Sequence, residues 1–172
     1  MLVIETARLR LLPCSAQVAH AAPTNRAEVE RSLAVHVPDD WPASDLRDFL
    51  PVYAQLLDED PSQLGWGIWL VIDKGEQTLI GDAGFQGAPD AGGTVEIGYS
   101  VLPAFRRRGY AFEAVQALVQ WAFAQPDVRR VVAECLDDNT ASIRILQKLG
   151  MTPCDHDGDL LRWELAKAGS TE

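Results

Sequence analysis

Apolar and polar residues change their spacing several times along the chain, and each change marks an element. Ala7-Arg8-Leu9-Arg10-Leu11-Leu12 alternates apolar with charged side chains ahead of Pro13, the pattern of a half-exposed opening strand. From Ser15 to about Leu57 the spacing turns helical, with Leu46, Phe49, Leu50, Tyr53, Leu56 and Leu57 three or four residues apart, but Pro23, Pro38, Pro42 and Pro51 interrupt it. This block predicts two or three helices, one of them kinked or interrupted at Pro51. Three strand-like runs follow, Trp66 to Asp73, Leu79 to Gln86 and Thr94 to Val101, parted by Lys74-Gly75-Glu76-Gln77 and by the turn-rich stretch from Gly87 to Gly93. Such short connectors predict an antiparallel meander. The period then switches to 3.6 between Gly109 and Ala124, which aligns Ala111, Val115, Leu118, Val119, Ala122 and Phe123 on one helical face. Arg130 to Leu136 reads as a strand, Thr140 to Leu149 as a helix ended by Gly150, and two weaker strands lie near Thr152 to Cys154 and Leu160 to Leu165. The sum is one α+β domain with a mixed sheet over residues 1–167 and a frayed tail at 168–172.

The length of 172 residues fits that single domain, and 47% hydrophobic with 23% charged residues allows one packed core. A formal charge of −10 argues against a sequence-independent grip on nucleic acid or on an anionic membrane surface, so any basic site must be local. No run approaches the length of a membrane span, and Glu5 and Arg8 fall where a signal peptide needs its apolar segment, so a cytoplasmic protein is expected. Cys14, Cys135 and Cys154 are odd in number and far apart, and His20, His36 and His156 follow no zinc-ligand spacing, so no disulfide framework and no metal are expected.

The chemistry concentrates in Glu96-Ile97-Gly98-Tyr99-Ser100-Val101-Leu102-Pro103-Ala104-Phe105-Arg106-Arg107-Arg108-Gly109-Tyr110-Ala111. A strand ends, a basic loop follows, and a long helix begins whose unpaired N–H groups and dipole favour an anion; small residues at Gly109 and Ala111 allow close approach. The competing reading is a solvated arginine loop with a turn glycine. Nucleotide fingerprints of the G-x-x-x-x-G-K-[ST] and G-x-G-x-x-G types are absent, and Gly98-Tyr99-Ser100-Val101-Leu102 lacks the last glycine of a hydrolase nucleophile elbow.

Arg106-x-x-Gly109-x-Ala111, preceded by Val101-Leu102-Pro103, resembles the Q/R-x-x-G-x-G/A signature of the GNAT superfamily of acyl-CoA N-acyltransferases. Asn139-x-x-Ser142, Lys148-Leu149-Gly150-Met151 and the opening Glu5-Thr6-Ala7-Arg8-Leu9-Arg10-Leu11 are similar to the branch containing the ribosomal-protein alanine N-acetyltransferases. The resemblance implies a mostly antiparallel sheet of six to seven strands with helices on both faces. Two parallel central strands, Glu96 to Val101 and Arg130 to Leu136, would splay apart to admit the pantetheine arm of acetyl-CoA as a pseudo-strand. Its pyrophosphate would lie on Arg106, Arg107, Arg108, Gly109, Tyr110 and Ala111, its amides on the Val101 backbone, and its thioester oxygen near the N–H of Tyr99.

The acceptor would be a primary amine, on a protein N-terminus or on a small molecule, attacked in a ternary complex by a monomer or homodimer. An alkylamine of pKa about 10.4 is only roughly one part in a thousand neutral near pH 7.4, so a base is needed. The resemblance gives Glu96, in the Glu96-Ile97-Gly98-Tyr99 run, ahead of its rival Glu134; either could instead form a strand-face salt bridge. Seven residues after Asn139, where many relatives carry a thiolate-protonating tyrosine, stands Leu146, which leaves Ser142 for that role or for a backbone bond. Asn139 is equally a helix cap, compatible with pantetheine contact. The acidic segment from Pro38 to Asp60 reads as a solvated face or as a border for a cationic acceptor. Trp41, Trp66 and Trp69 are groove candidates, with Trp66 and Trp69 expected on opposite sheet faces. The remaining alternatives are a silent acyl-CoA-binding module and a transferase using a longer donor such as succinyl-CoA.

Overall fold

A computed structural model describes residues 1–169; of the tail expected to fray, residues 170–172 lie outside the described part. The strands are β1 (Ile4–Glu5), β2 (Leu9–Pro13), β3 (Ile68–Asp73), β4 (Thr78–Phe85), β5 (Thr94–Val101), β6 (Arg130–Leu136), β7 (Thr152–Asp157) and β8 (Leu160–Ala166). The helices are α1 (Ala16–Ala21), α2 (Arg26–Leu33), α3 (Ser44–Glu59), α4 (Tyr110–Ala124) and α5 (Thr140–Lys148). The strands form one sheet in the order β1-β2-β3-β4-β5-β6-β8-β7, antiparallel except at β5 and β6. That is eight strands rather than six or seven. The two-residue β1 is too short to give an alternation, and it forms by pairing Ile4 with Leu11 across a turn.

Alternation along each strand feeds two separate cores. Trp69, Val71, Val95, Ile97, Val131 and Ala133 pack on α4 and on Leu146 of α5, whereas Ile68, Leu70, Ile72 and Leu79 pack on the α1 to α3 layer. The sheet is therefore covered on both faces. Helix α3 runs through Pro51 without the interruption that was one of the two expectations there. Pro51 lies on the exposed face, where water can take the carbonyl that loses its N–H partner. Among the described residues no helix is long and apolar enough to cross a membrane.

Trp66 and Trp69 do not take opposite faces. β3 begins at Ile68, so Trp66 belongs to the preceding turn and is free of the strand's alternation. Both indoles lie against Trp121 of α4, with ring centroids 4.8 and 5.2 Å away, and Trp69 is fully buried.

Candidate functional site

β5 and β6 pair only at Thr94–Arg130, Val95–Val131 and Glu96–Val132, and beyond Glu96 the two strands diverge. β5 stays bonded to β4 as far as Val101, and β6 to β8 as far as Leu136, so the split lies between two strands each held on its outer edge. Glu96 C=O accepts from Gln86 N–H, and Leu102 N–H donates to Ile80 C=O, so the even-numbered backbone groups face β4. The backbone groups of Ile97, Tyr99 and Val101 therefore face the gap, a row of extended-strand groups of the kind a linear ligand pairs with.

The gap opens into a cleft of about 730 Å³ between β5, the loop before α4, and α5. Tyr99, Val101, Arg106, Arg107, Gly109, Tyr110, Ala111, Asn139 and Ser142 all line it, and so do Arg144 and Phe112. In the loop, Arg107 and Gly109 both adopt left-handed backbone, φ 63° and 80°, which folds the chain tightly into the start of α4. Arg107 holds that conformation without being glycine, a strain of about 1 kcal/mol or more of the sort found at ligand sites. Arg106 Nε donates to Val101 C=O at 2.9 Å, tying the loop to the strand end.

Two of the arginine-loop residues spend their side chains elsewhere. Arg108 reaches Glu76 and Ala104 C=O at 3.4 and 3.2 Å and does not line the cleft, which leaves its backbone as its only route to an anion there. The Tyr110 hydroxyl donates to Asp73 Oδ2 at 2.6 Å, pinning the first residue of α4 to β3. That bond, with burial behind it, raises the Tyr110 phenol. Burial pushes the Asp73 carboxyl up, yet the donors from Tyr110, Gly75 and Glu76 outweigh it and hold the acid below its usual range.

Arg8 completes the support. Its N–H and Nε donate to Glu113 at 2.9 and 2.7 Å, and a terminal nitrogen donates to Arg108 C=O at 2.8 Å. Its guanidinium also sits 4.4 Å from the Tyr110 ring centroid, while Thr6 Oγ1 donates to Glu113 at 2.6 Å. The opening Thr6-Ala7-Arg8 motif is thus a clamp on the arginine loop, with Arg8 and Arg108 100 residues apart in sequence.

On α5, Asn139 Oδ1 accepts from Ser142 N–H at 3.1 Å, so the cap is realised while the residue also lines the cleft. Burial raises the Tyr99 phenol, and the Ser142 hydroxyl beside it in the cleft pulls against that rise. Leu146 is fully buried, so its side chain belongs to the core.

The opposite sheet face carries the two acids. With Val95 and Ile97 in the α4 core, Glu96 and Gly98 point the other way. Arg162 lies 2.7 Å from Glu134 and 3.9 Å from Glu96, so Glu134 holds the tight ion pair. Burial first, then the Glu134 charge, pushes the Glu96 carboxyl up, with Arg162 opposing.

Next to Gly98 a second cavity, about 500 Å³, lies between α3 and strands β4 and β5. Asp82, across from Ser100 in the β4–β5 register, lines it and accepts from Trp41 Nε1 at 3.1 Å. Trp41 itself is buried in the α1 to α3 core. Burial pushes the Asp82 carboxyl up to about 6, and the Trp41 donor opposes it. Because the native state holds this proton more tightly than the unfolded chain, the native state loses stability as pH rises from about 4 through 6. Asp82→Asn removes the ionisation. The variant should match the parent near pH 4 and exceed it by on the order of 2 kcal/mol above pH 7, checked by urea melts at both values; a gap that does not widen with pH would show that Asp82 is well solvated.

Sequence reasoning missed Arg144, Asp82 and Tyr53. Arg144 carried a usable signal, as a basic residue on the helix that Asn139 caps. Asp82 and Tyr53 carried none, because each sits in an ordinary strand or helix pattern and gains its environment only from tertiary packing. The acidic side chains of α3 do not border the cavity. The α3 stripe that does is Leu46, Phe49, Tyr53 and Leu56, while Asp58 bonds His20 at 2.7 Å.

Residues 8–152 match the family model described as an acetyltransferase (GNAT) domain. An uncharacterised N-acetyltransferase of Bacillus subtilis strain 168, YjdG, is 33% identical over 150 residues, covering 87% of this chain and 89% of the relative. Among solved structures, the ribosomal-protein-S5-alanine acetyltransferase of Vibrio fischeri aligns over all of both chains with a TM-score of 0.69 at 15% identity. A ribosomal L7/L12 alpha-N-protein acetyltransferase in complex with coenzyme A aligns over 96% of this chain and 98% of its own, with a TM-score of 0.67 at 18% identity. At those identities the two structures speak for the fold alone.

Proposed function

Because the chain belongs to the GNAT acetyltransferase family, we propose that it transfers the acetyl group of acetyl-CoA to a primary amine, with the donor in the β5–β6 cleft and the acceptor in the α3 groove. The observation that carries this assignment is where the two cavities meet. Tyr99 lines one and its neighbour Gly98 lines the other, so consecutive residues of one strand look into opposite cavities at the level where the sheet splits. A Cβ placed on Gly98 would meet nothing within 4 Å, which leaves that crossing open.

The donor end follows from charge and backbone geometry. Arg106, Arg107 and Arg144 and the unpaired N–H groups at the positive end of α4 suit a pyrophosphate in a chain that is otherwise strongly acidic. Pantetheine amides pair with the gap-facing groups of Val101, and the Tyr99 N–H meets the carbonyl oxygen as charge develops on it.

At the reacting end the amine nitrogen bonds to the thioester carbon, the amine gives up a proton, and the carbon–sulfur bond breaks to release the thiolate. Glu96, two residues and therefore about 7 Å along the strand from Gly98, takes the amine proton directly or through water. Ser142, backed by the Tyr99 phenol, donates to the departing sulfur. Opposed cavities allow both substrates to be bound together, so attack is direct.

Initial rates of thiol release, measured across a panel of amines with acetyl-CoA and with succinyl-CoA, test this reading. Amine-dependent release with intersecting double-reciprocal lines, and preference for acetyl-CoA, are expected. Acetyl-CoA binding with no amine-dependent release from any acceptor would instead mark a silent binding module.

A further inference from the structure

The groove beneath α3 is chemically one-sided. Leu46, Phe49 and Leu56 form one wall, and Trp66 and Phe85 the other. Asp82 is the single carboxylate among its described lining residues, although α3 carries four acidic side chains. An acceptor therefore meets a broad apolar surface with one fixed negative charge. A second feature points to a ligand independently: the Tyr53 hydroxyl lies on this lining in a side chain 1% exposed and, among the described residues, has no acceptor for its proton. Leaving a buried hydroxyl without an acceptor is unfavourable, and a bound group able to accept that bond would relieve it. The ring cannot swing away cheaply either, because it lies against Gly67, where a Cβ would overlap it.

We propose that Asp82 and Tyr53 select the acceptor, a monoamine on an apolar or aromatic body whose ammonium bonds the Asp82 carboxylate and whose neighbouring carbonyl or hydroxyl oxygen accepts from Tyr53. This rests on the groove being the acceptor site. Polyamines fit poorly, since their further charges would lie against Phe49, Trp66 and Phe85 without a counter-ion. Two sources share the selected chemistry: a small aromatic amine such as an amino-acid amide, and a peptide N-terminus with an apolar first residue. Asp82 is a binding residue here, and Glu96 keeps the proton transfer.

Calorimetric titration of the full chain without acetyl-CoA tests the selection, using 2-phenylethylamine, phenylalanine amide, a tripeptide beginning with phenylalanine, and spermidine. The aromatic amines should bind more tightly than spermidine, and Asp82→Asn should weaken them by about tenfold or more. Tyr53→Phe should fold at least as stably as the parent, lose affinity for phenylalanine amide, and leave 2-phenylethylamine, which offers no acceptor oxygen, unchanged. Binding of the tripeptide alongside the amide assigns a chain terminus, binding of the amide alone a small molecule; both support the selection. Preference for spermidine, or equal affinities in Asp82→Asn, would overturn it. Adding acetyl-CoA afterwards separates the two claims. Bound aromatic amine that is never acetylated contradicts the transferase reading alone, whereas acetylation confined to spermidine contradicts the selection alone.

Discussion

Glu96→Gln should lower kcat by about 10²- to 10⁴-fold, the usual contribution of a positioned general base, while acetyl-CoA affinity stays within about twofold. Glutamine keeps the shape and the neighbours of the carboxylate and removes only its ability to take a proton from the amine. Burial and the nearby Glu134 charge raise the Glu96 carboxyl, so the parent's rate should climb with pH through that ionisation, and the variant should lose this limb. Glu134→Gln should do far less. Its carboxylate is already bound to Arg162 at 2.7 Å, and its loss would let Arg162 turn to Glu96, now 3.9 Å away, making Glu96 a weaker base. A modest fall in kcat with the pH limb moved to lower pH is expected for Glu134→Gln. A double variant with unchanged turnover would remove both acids from the mechanism.

Gly109→Val should combine the second largest loss of function with a measurable loss of stability. At φ 80° the residue immediately before α4 occupies left-handed space, which a β-branched side chain enters only at a cost of about 2 kcal/mol. In a domain of this size that corresponds to a fall in Tm of about 4 to 8 °C. Any backbone adjustment that relieves the strain also turns the loop N–H groups away from the anion, so the acetyl-CoA Kd should rise about tenfold or more. Gly109→Asn, which tolerates the left-handed region, should retain most of both. Steric crowding is not the cause, because the atom nearest to a Cβ there is Arg8 Nη2 at 3.4 Å. A valine variant that melts and binds as the parent does would show that the turn does not shape the site.

The contrast between these two positions shows what the sequence could carry. Gly109 was legible because a glycine at a strand-to-helix turn after three arginines has a local physical reason. Likewise the order of strands and helices followed from periods of two and 3.6, with errors where a local rule met a tertiary one. Pro51 read as a kink or an interruption, and the interruption did not follow because propensity ignores which face of α3 is solvated; Trp66 read as strand because the turn before Ile68 leaves no mark in hydropathy. Most of the residues picked out along the sequence line one cleft, yet Arg108 and Tyr110 hold their side chains on Glu76 and Asp73, partners more than 30 residues away. Asp82 was invisible for the same reason. Its burial, its Trp41 donor and its place opposite Ser100 are all products of packing between α3, β4 and β5.

Donor binding in the β5–β6 cleft is the claim on which the rest depends, and a thermal melt of the purified chain with acetyl-CoA, free CoA and ATP tests it most directly. At a hundred times its Kd a ligand adds about 2.7 kcal/mol, or some 5 to 10 °C in Tm. A shift of that size with both CoA compounds, absent with ATP and much reduced in Gly109→Val, is expected. No shift with either CoA compound would mean that the fold persists without its donor site, and the assignment of acetyl transfer to this chain would fail.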